Sequence, residues 1–315
     1  MFSKGVSSVD QDVDFTEQDQ QQLRAYDAFS LLARTKKSWQ RLGHLVELAA
    51  DHTITDRDSA KITSASSGRS IADVGTDHGL LAMSFALSRR YDRVLGVDVS
   101  EQALHNGALS LLETEKEIYE QLSGGSNGEE ETRLPISFRV SDGFASIEPG
   151  EADTVCIAGM GVHTMIKILS MPSDSSDIIH LDRIQCQQLL LQPTNSRPSH
   201  LILLYDHLQK SGWRLVDERI EELSKRWYVS TCFQRIGRDG KENVDPNINT
   251  PTPIELPTSK LVHLEEGNPM FPAFQKYVAH HCRWIEMDAE ARGTLKEADE
   301  RWLKAFQYVA RDYCR

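Results

Sequence analysis

Apolar and polar residues alternate along this chain in two rhythms. Between Ser70 and Lys210, short unbroken apolar runs take turns with stretches whose apolar residues recur every three or four positions. Ser70–Val74 predicts a strand running into Gly75, and Leu80–Leu87 a helix. Arg93–Val97 predicts a strand with Asp98 at its tip, followed by a helix over Glu101–Leu112. Strands over Ile136–Val140 and Thr154–Ala158, a helix over His163–Leu169 and a strand over Gln188–Leu191 continue the pattern. A helix over His200–Lys210 stops at Gly212, a usual helix-ending residue. Strands that alternate with helices imply a parallel sheet with right-handed crossovers. The rhythm then changes: Trp213–Glu222 and Trp227–Arg235 are strand-like runs close enough in sequence to form a hairpin at the sheet edge.

The flanks read differently. Residues 1–22 are acidic and Gln-rich and predict a disordered tail. Leu23, Tyr26, Phe29, Leu31, Leu32, Leu42, Leu45, Val46 and Leu48 follow at helical spacing, and Asp51–Arg69 reads as a loop. Ser123–Glu131 predicts a flexible insertion, and Gly237–Thr258, with four prolines, an extended linker. From Phe271 to Arg315, Phe274, Tyr277, His281, Trp284, Leu295, Trp302 and Phe306 keep a rough three-four spacing, which suits a helical hairpin or short coiled coil packed on the core. The predicted division is a tail (1–22), an α/β domain (23–236), a linker (237–269) and a C-terminal helical region (270–315).

Composition narrows the function classes. The 315 residues are 39% hydrophobic, enough for a sizeable core. With 47 acidic against 35 basic side chains the net charge is −12, which argues against a generic nucleic-acid coat but leaves room for one local basic cleft. No apolar run approaches a membrane span, and the N-terminus has neither a secretory nor a transit pattern, so a cytoplasmic protein is expected. The five cysteines include no CxxC pair, so neither a disulfide framework nor a metal site is expected.

The strongest local feature is Ile71-Ala72-Asp73-Val74-Gly75-Thr76-Asp77-His78-Gly79, an apolar strand entering a glycine turn before a helix. It lacks the Gly-Lys-Ser/Thr of a phosphate loop and the second glycine of a dinucleotide loop. Asp73 and Asp77 repel a pyrophosphate and attract a sulfonium carrying an α-amino group, so the loop favours S-adenosyl-L-methionine over NAD. Taken alone, it also fits a plain strand-to-helix turn with solvated acids. Asp98, one βα unit on, can accept hydrogen bonds from ribose hydroxyls, with a helix cap as the alternative. Asp142 can accept from an adenine amino group where Gly143 leaves room for the ring. Ala158-Gly159-Met160-Gly161 ends the fourth strand and offers an apolar wall for a flat base. A parallel sheet closed by an antiparallel hairpin is similar to the Rossmann-like sheet of S-adenosylmethionine-dependent methyltransferases.

IADVGTDHGLL, the SDG step, IAGMG followed by TMIKIL, LLLQP, GWRLVDE and KRWYVS occur here in order. In these motifs the chain resembles the bacterial tRNA (adenine-22-N1)-methyltransferases, the TrmK family, over roughly Ser38 to Gln234. The resemblance implies cofactor contacts at Asp73, Gly75, Asp77, His78, Asp98, Asp142, Gly143, Ala158, Gly159 and Met160. Asp98 stands where the family typically has Glu, Val162 where it has a second glycine after the turn, and Leu80 where it often has Tyr. The family's Gln-Pro-Asn becomes Gln192-Pro193-Thr194-Asn195.

The implied reaction is attack by adenine N1 on a sulfonium methyl. Asp77, Met160 and Asn195 are the candidate catalytic residues: Asp77 for the developing charge and the N6 proton, with His78 orienting it. N1 lies on the Watson–Crick edge, so the base must be unpaired or flipped and the RNA held outside the pocket. Candidate grips are Arg34, Lys36, Lys37 and Arg41, then Arg197, and Lys225 and Arg226 with Trp227 and Tyr228. The expected partner is tRNA. A methyltransferase acting on another RNA or a small molecule, and a non-catalytic cofactor-binding scaffold, are the competing readings.

Overall fold

A computed structural model describes residues 36–52, 69–88, 90–106, 134–173, 176–236, 259, 261, 264 and 266–306. Helix α1 (Lys36–Asp51) precedes β1 (Ser70–Val74), α2 (Leu80–Leu87), β2 (Arg93–Asp98), a helical stretch over 101–106, β3 (Ile136–Val140) and β4 (Thr154–Met160). Then come α3 (Val162–Ser170), β5 (Pro172–Ser173), β6 (Ser176–Ile179), α4 (His180–Arg183), β7 (Gln188–Pro193) and α5 (Pro198–Lys210). The hairpin β8 (Trp213–Leu223) and β9 (Arg226–Arg235) follows, and α6 (Phe271–Arg292) and α7 (Glu297–Ala305) close the described chain.

Seven strands form one sheet in the order β3-β2-β1-β4-β7-β9-β8. The first five run parallel, and β9 and β8 are antiparallel. This is the α/β, mostly parallel sheet with an antiparallel edge hairpin expected from the sequence. The chain moves outward from β1 through β2 to β3, then returns to β4 on β1's other side. That reversal opens a crevice at the carboxyl ends of β1 and β4, where ligands of such sheets bind.

Alternation along each strand sorts the core into two layers, because successive side chains leave a strand on opposite faces. Ile71, Val94, Cys156, Leu190 and Cys232 face α1 and α2. Their neighbours Ala72, Leu95, Val155, Ile157, Leu189, Leu191 and Phe233 face α3, α5, α6 and α7. Two buried glutamines of β7 pin α1 across its layer. Gln188 donates to the His52 carbonyl (2.6 Å) and Gln192 to the Arg41 carbonyl (2.8 Å). The second bond brings the N-terminal half of α1 to the carboxyl edge of the sheet.

The C-terminal segment is two helices, broken where Gly293 takes a left-handed conformation (φ 73°). Phe274, Tyr277, Val278, Cys282, Ile285, Trp302 and Phe306 are buried in the same layer as α3 and α5. Within the stretch read as linker, Ser259 and Leu261 are buried too, and the Ser259 hydroxyl donates to the buried Glu218 carboxylate (2.6 Å). Because these helices belong to the sheet's own core, Phe274→Ala is expected to cost about 3–5 kcal/mol of the stability of the whole fold. A urea titration followed by fluorescence should show one transition at a lower midpoint. Two transitions, with only the first displaced, would mean that the helices unfold on their own.

The tail over 1–22, the apolar positions 23–32, most of the 51–69 loop, the 123–131 insertion and Cys314 lie outside the described residues. The described cysteines Cys156, Cys186, Cys232 and Cys282 are buried thiols. Among the described residues no helix is long and apolar enough to cross a membrane, and no group of His, Cys, Asp and Glu could hold a metal ion.

Candidate active site at the carboxyl edge of the sheet

The site grows from the end of β1. Gly75 bends the chain at φ 78°, and the amides of Gly75 and Thr76 both donate to the Val97 carbonyl of β2 (2.7 and 3.0 Å). The loop therefore folds back over β2. Thr76 turns its hydroxyl down onto the Asp73 carboxylate (2.6 Å). Asp73 is buried, 2% exposed, and burial pushes its pKa up to about 7. The nearby Asp98 charge adds to that rise, while the Thr76 hydroxyl and the Ala82 backbone oppose it. Asp73 thus lies under the floor of the loop rather than along its open rim.

Asp98, at the tip of β2, accepts the Asp77 amide on one oxygen (2.9 Å) and the Ser100 amide on the other (2.8 Å). The helix over 101–106 is capped by Ser100, whose Oγ accepts the Ala103 amide (3.2 Å). Asp98 is therefore not consumed as a cap: a carboxylate offers about four acceptor positions and two are in use. Asp77 holds a left-handed backbone (φ 53°), and its carboxylate meets His78 Nδ1 at 2.9 Å, with both side chains more than half exposed. Next door, the Ser141 amide donates to the Asp98 carbonyl (2.8 Å), which sets Asp142, exposed, and Gly143 beside Asp98.

The opposite wall is the end of β4. Its pairing with β7 shifts register between Ala158 and Met160, where Gly159 takes φ 72°. The shift throws Met160 toward β1, so closely that a Cβ on Gly75 would stand 1.7 Å from Met160 Cε. Both residues stand out in the sequence, but nothing in their spacing shows that they touch. The Met160 carbonyl accepts the Thr194 amide (2.8 Å), bringing the end of β7 alongside. Asn195 then accepts the Arg197 amide on Oδ1 (3.0 Å), closing a turn ahead of α5.

Of the basic grips, Arg41 joins this site. Its guanidinium lies 3.4 Å from where a Gly159 Cβ would be and over the Tyr228 ring (5.7 Å). Trp227 is instead packed under α6, 4.7 Å from the His280 ring, so it offers no free stacking face there. Arg34 and the side chains of Lys36 and Lys37 lie outside the described residues. Thr76, the residue that ties Asp73 to the loop, was not singled out in the sequence; a hydroxyl three residues after a strand-end acid was its one signal. Asp73, Gly75, Asp77, His78, Asp98, Asp142, Gly143, Ala158, Gly159 and Met160 thus gather at one edge of the sheet, with Asn195 at its margin.

Comparison with known proteins agrees with this geometry. A Bacillus subtilis tRNA (adenine(22)-N(1))-methyltransferase is 26% identical over 172 residues, which cover 55% of this chain and 61% of that protein. The chain thus spans less than two thirds of that relative's length. The crystal structure of the B. subtilis M1A22 tRNA methyltransferase TrmK superposes with a TM-score of 0.51 at 19% identity, over 87% of this chain and 94% of that one. A Streptococcus pneumoniae protein assigned as a tRNA (m1A22) methyltransferase, crystallised with S-adenosyl-L-methionine, gives 0.50 at 17% identity over 83% and 100%. These likenesses bear out the resemblance read from the glycine loop and the IAGMG turn. With a family model matching residues 59–230, across the loop, the crevice and the first half of the edge hairpin's second strand, the chain belongs to the methyltransferase domain family.

Proposed function

We propose that this chain transfers a methyl group from S-adenosyl-L-methionine to N1 of an adenine in tRNA, the position-22 type. The observation that carries it is the set of strand-end carboxylates, Asp73 under the loop with Asp98 and Asp142 at the next strand ends, gathered with the Gly75–Met160 contact at the switch point. The site suits that cofactor. Asp98 keeps acceptor positions for a ribose diol, and the exposed Asp142 beside it can accept from an adenine amino group. The ring room expected at Gly143 is taken up by packing, since Gly143 is buried and a Cβ there would stand 3.3 Å from Ile168 and 3.5 Å from Met171. Asp73 and Asp77 supply negative potential for a cation. The B. subtilis relative, named for methylation of adenine 22, supports the choice of substrate.

When bound, the cofactor supplies an electrophilic methyl on a sulfonium. Every other task falls to the chain. Met160 gives the base an apolar wall, held in place by the Thr194 amide on its carbonyl. Asn195 Nδ2, without a partner among the described residues, can donate to a ring nitrogen and hold the adenine in plane. As N1 gains its bond, positive charge spreads over the adenine, and the Asp77 carboxylate stabilises it and takes an N6 proton. His78, 2.9 Å from that carboxylate, orients it.

Incubation of the full chain with labelled cofactor and tRNA lacking the modification, followed by nucleoside analysis, should yield labelled 1-methyladenosine. Label in another nucleoside, or in none, would overturn the assignment. Asp77→Asn is expected to weaken cofactor binding a few-fold, as one attracting charge is lost, and to lower turnover at saturating cofactor and tRNA about a hundredfold. Wild-type turnover in that variant would remove Asp77 from the chemistry.

A further inference from the structure

Next to the Met160 turn, outside the cradle described so far, lies a run of cationic and aromatic side chains that the reaction does not use. His163, on the first turn of α3, meets His200 of α5 with ring centroids 5.7 Å apart. Arg197, two residues beyond Asn195, lays its guanidinium over the Trp284 indole of α6 at 4.5 Å, and Lys296 approaches the same ring at 6.0 Å. Burial first, then the positive charges of His163, Arg197 and Lys296, hold His200 below its ordinary pKa, against the pull of Asp299. His200 is therefore a neutral imidazole at neutral pH and offers a ring N–H, while Arg197 and Lys296 carry the positive charge.

Two carboxylates border the group. Asp288 pairs with Lys296 (3.2 Å) and Arg292 (2.9 Å), and Asp299 is buried. Arg197 has no carboxylate partner among the described residues and is exposed. An arginine held out on an indole keeps its donors free and has already given up side-chain entropy, an economical arrangement for a phosphate. On a chain of net charge −12, such a patch next to the substrate wall stands out as a local attractor for an anion.

We propose that Arg197, His163, His200 and Lys296 grip the phosphodiester backbone of the RNA strand that flanks the target adenine, with Trp284 holding Arg197 in position. The proposal rests on the reading of the chain as a tRNA methyltransferase, and gives α6 and the turn before α7, which holds Lys296, a part in substrate binding. The patch continues from Met160 through His163 and from Asn195 to Arg197, so a strand whose base enters the crevice passes over it.

The test compares the full-length chain with Arg197→Ala/Lys296→Ala and with Arg197→Lys, using tRNA that lacks the modification. The double variant should raise KM for tRNA about tenfold, with turnover at saturating tRNA within about twofold. The slope of log affinity against log salt should fall by about one for each phosphate that is no longer neutralised. Arg197→Lys should keep the salt slope and recover part of KM. Calorimetry with S-adenosylhomocysteine should give the same affinity in all three proteins. An unchanged KM and salt slope in the double variant, with the wild type methylating tRNA, would overturn the grip and leave the enzymatic reading standing. A wild-type chain that binds the cofactor product but neither binds nor methylates tRNA would overturn both.

Discussion

Gly75→Ala is expected to fold and to lose at least tenfold in affinity for S-adenosylmethionine. Two separate penalties meet at this position. The backbone stands at φ 78°, where an L side chain costs about 1–2 kcal/mol. The new Cβ would also lie 1.7 Å from Met160 Cε, so the thioether must swing away. Met160 is flexible, so the fold survives, but its displaced side chain enters the crevice that the proposal assigns to cofactor and base. Removing the clash should separate the two effects. In Gly75→Ala/Met160→Ala the steric part of the loss is relieved and the backbone strain remains, so the two substitutions should be strongly non-additive. Thermal unfolding and calorimetry on the four proteins of the cycle measure both. Wild-type affinity in Gly75→Ala would show that the Gly75–Met160 contact does not border the cofactor.

Asp73→Asn is expected to make the protein more stable and a poorer binder. A carboxyl whose pKa rises to about 7 on folding holds its proton in the native state over a range where the unfolded chain has released it. Native protein then binds more protons than unfolded protein between about pH 4 and 7, so stability falls as pH rises through that window. Above it the full cost is present, roughly 4 kcal/mol from a shift of about three units. Asparagine keeps an oxygen for the Thr76 hydroxyl and carries no charge. The variant should therefore melt higher than wild type at pH 8 and at the same temperature near pH 4. Affinity should move the other way. Wild-type binding of the cationic cofactor should strengthen as pH rises through about 7, when Asp73 ionises, while the Asn variant should bind weakly at every pH. Parallel stability profiles of the two proteins would refute the burial argument, and equal affinities at pH 8 would remove Asp73 from cofactor binding.

Much of this could be read in the sequence, for definable reasons. Strands β1, β2, β4 and β7 are covered on both faces, so they appear as mainly apolar runs, and each ends at, or one residue before, a Gly, Asp or Pro that marks the edge. The hairpin was legible from its two long strand-like runs, but its turn was not. Ser224 and Lys225 both take positive φ (52° and 63°), a geometry usually announced by Asn or Gly. The two-stranded β5–β6 piece and the single turn of α4 are too short to leave a period. Phe274 and Trp302 announced helices but could not say what their apolar stripe covers, since periodicity reports a face and not its partner. The same limit applies at the site. The acids and glycines at the strand ends were legible because local chemistry demands them. The burial of Asp73, the reach of Arg41 from α1 to Gly159 and the Arg197–Trp284 stack all join residues far apart in sequence, and only the fold brings them together.

The claim that carries the rest is that the acid-lined carboxyl edge of the sheet is the cofactor cradle. A crystal structure of the chain with S-adenosylhomocysteine tests it most directly. The account predicts the ribose hydroxyls on the Asp98 carboxylate, the adenine beside it with its amino group toward Asp142, and the sulfur near the Gly75–Met160 contact. Density for the ligand anywhere else on the molecule, with that crevice left to solvent, would contradict it.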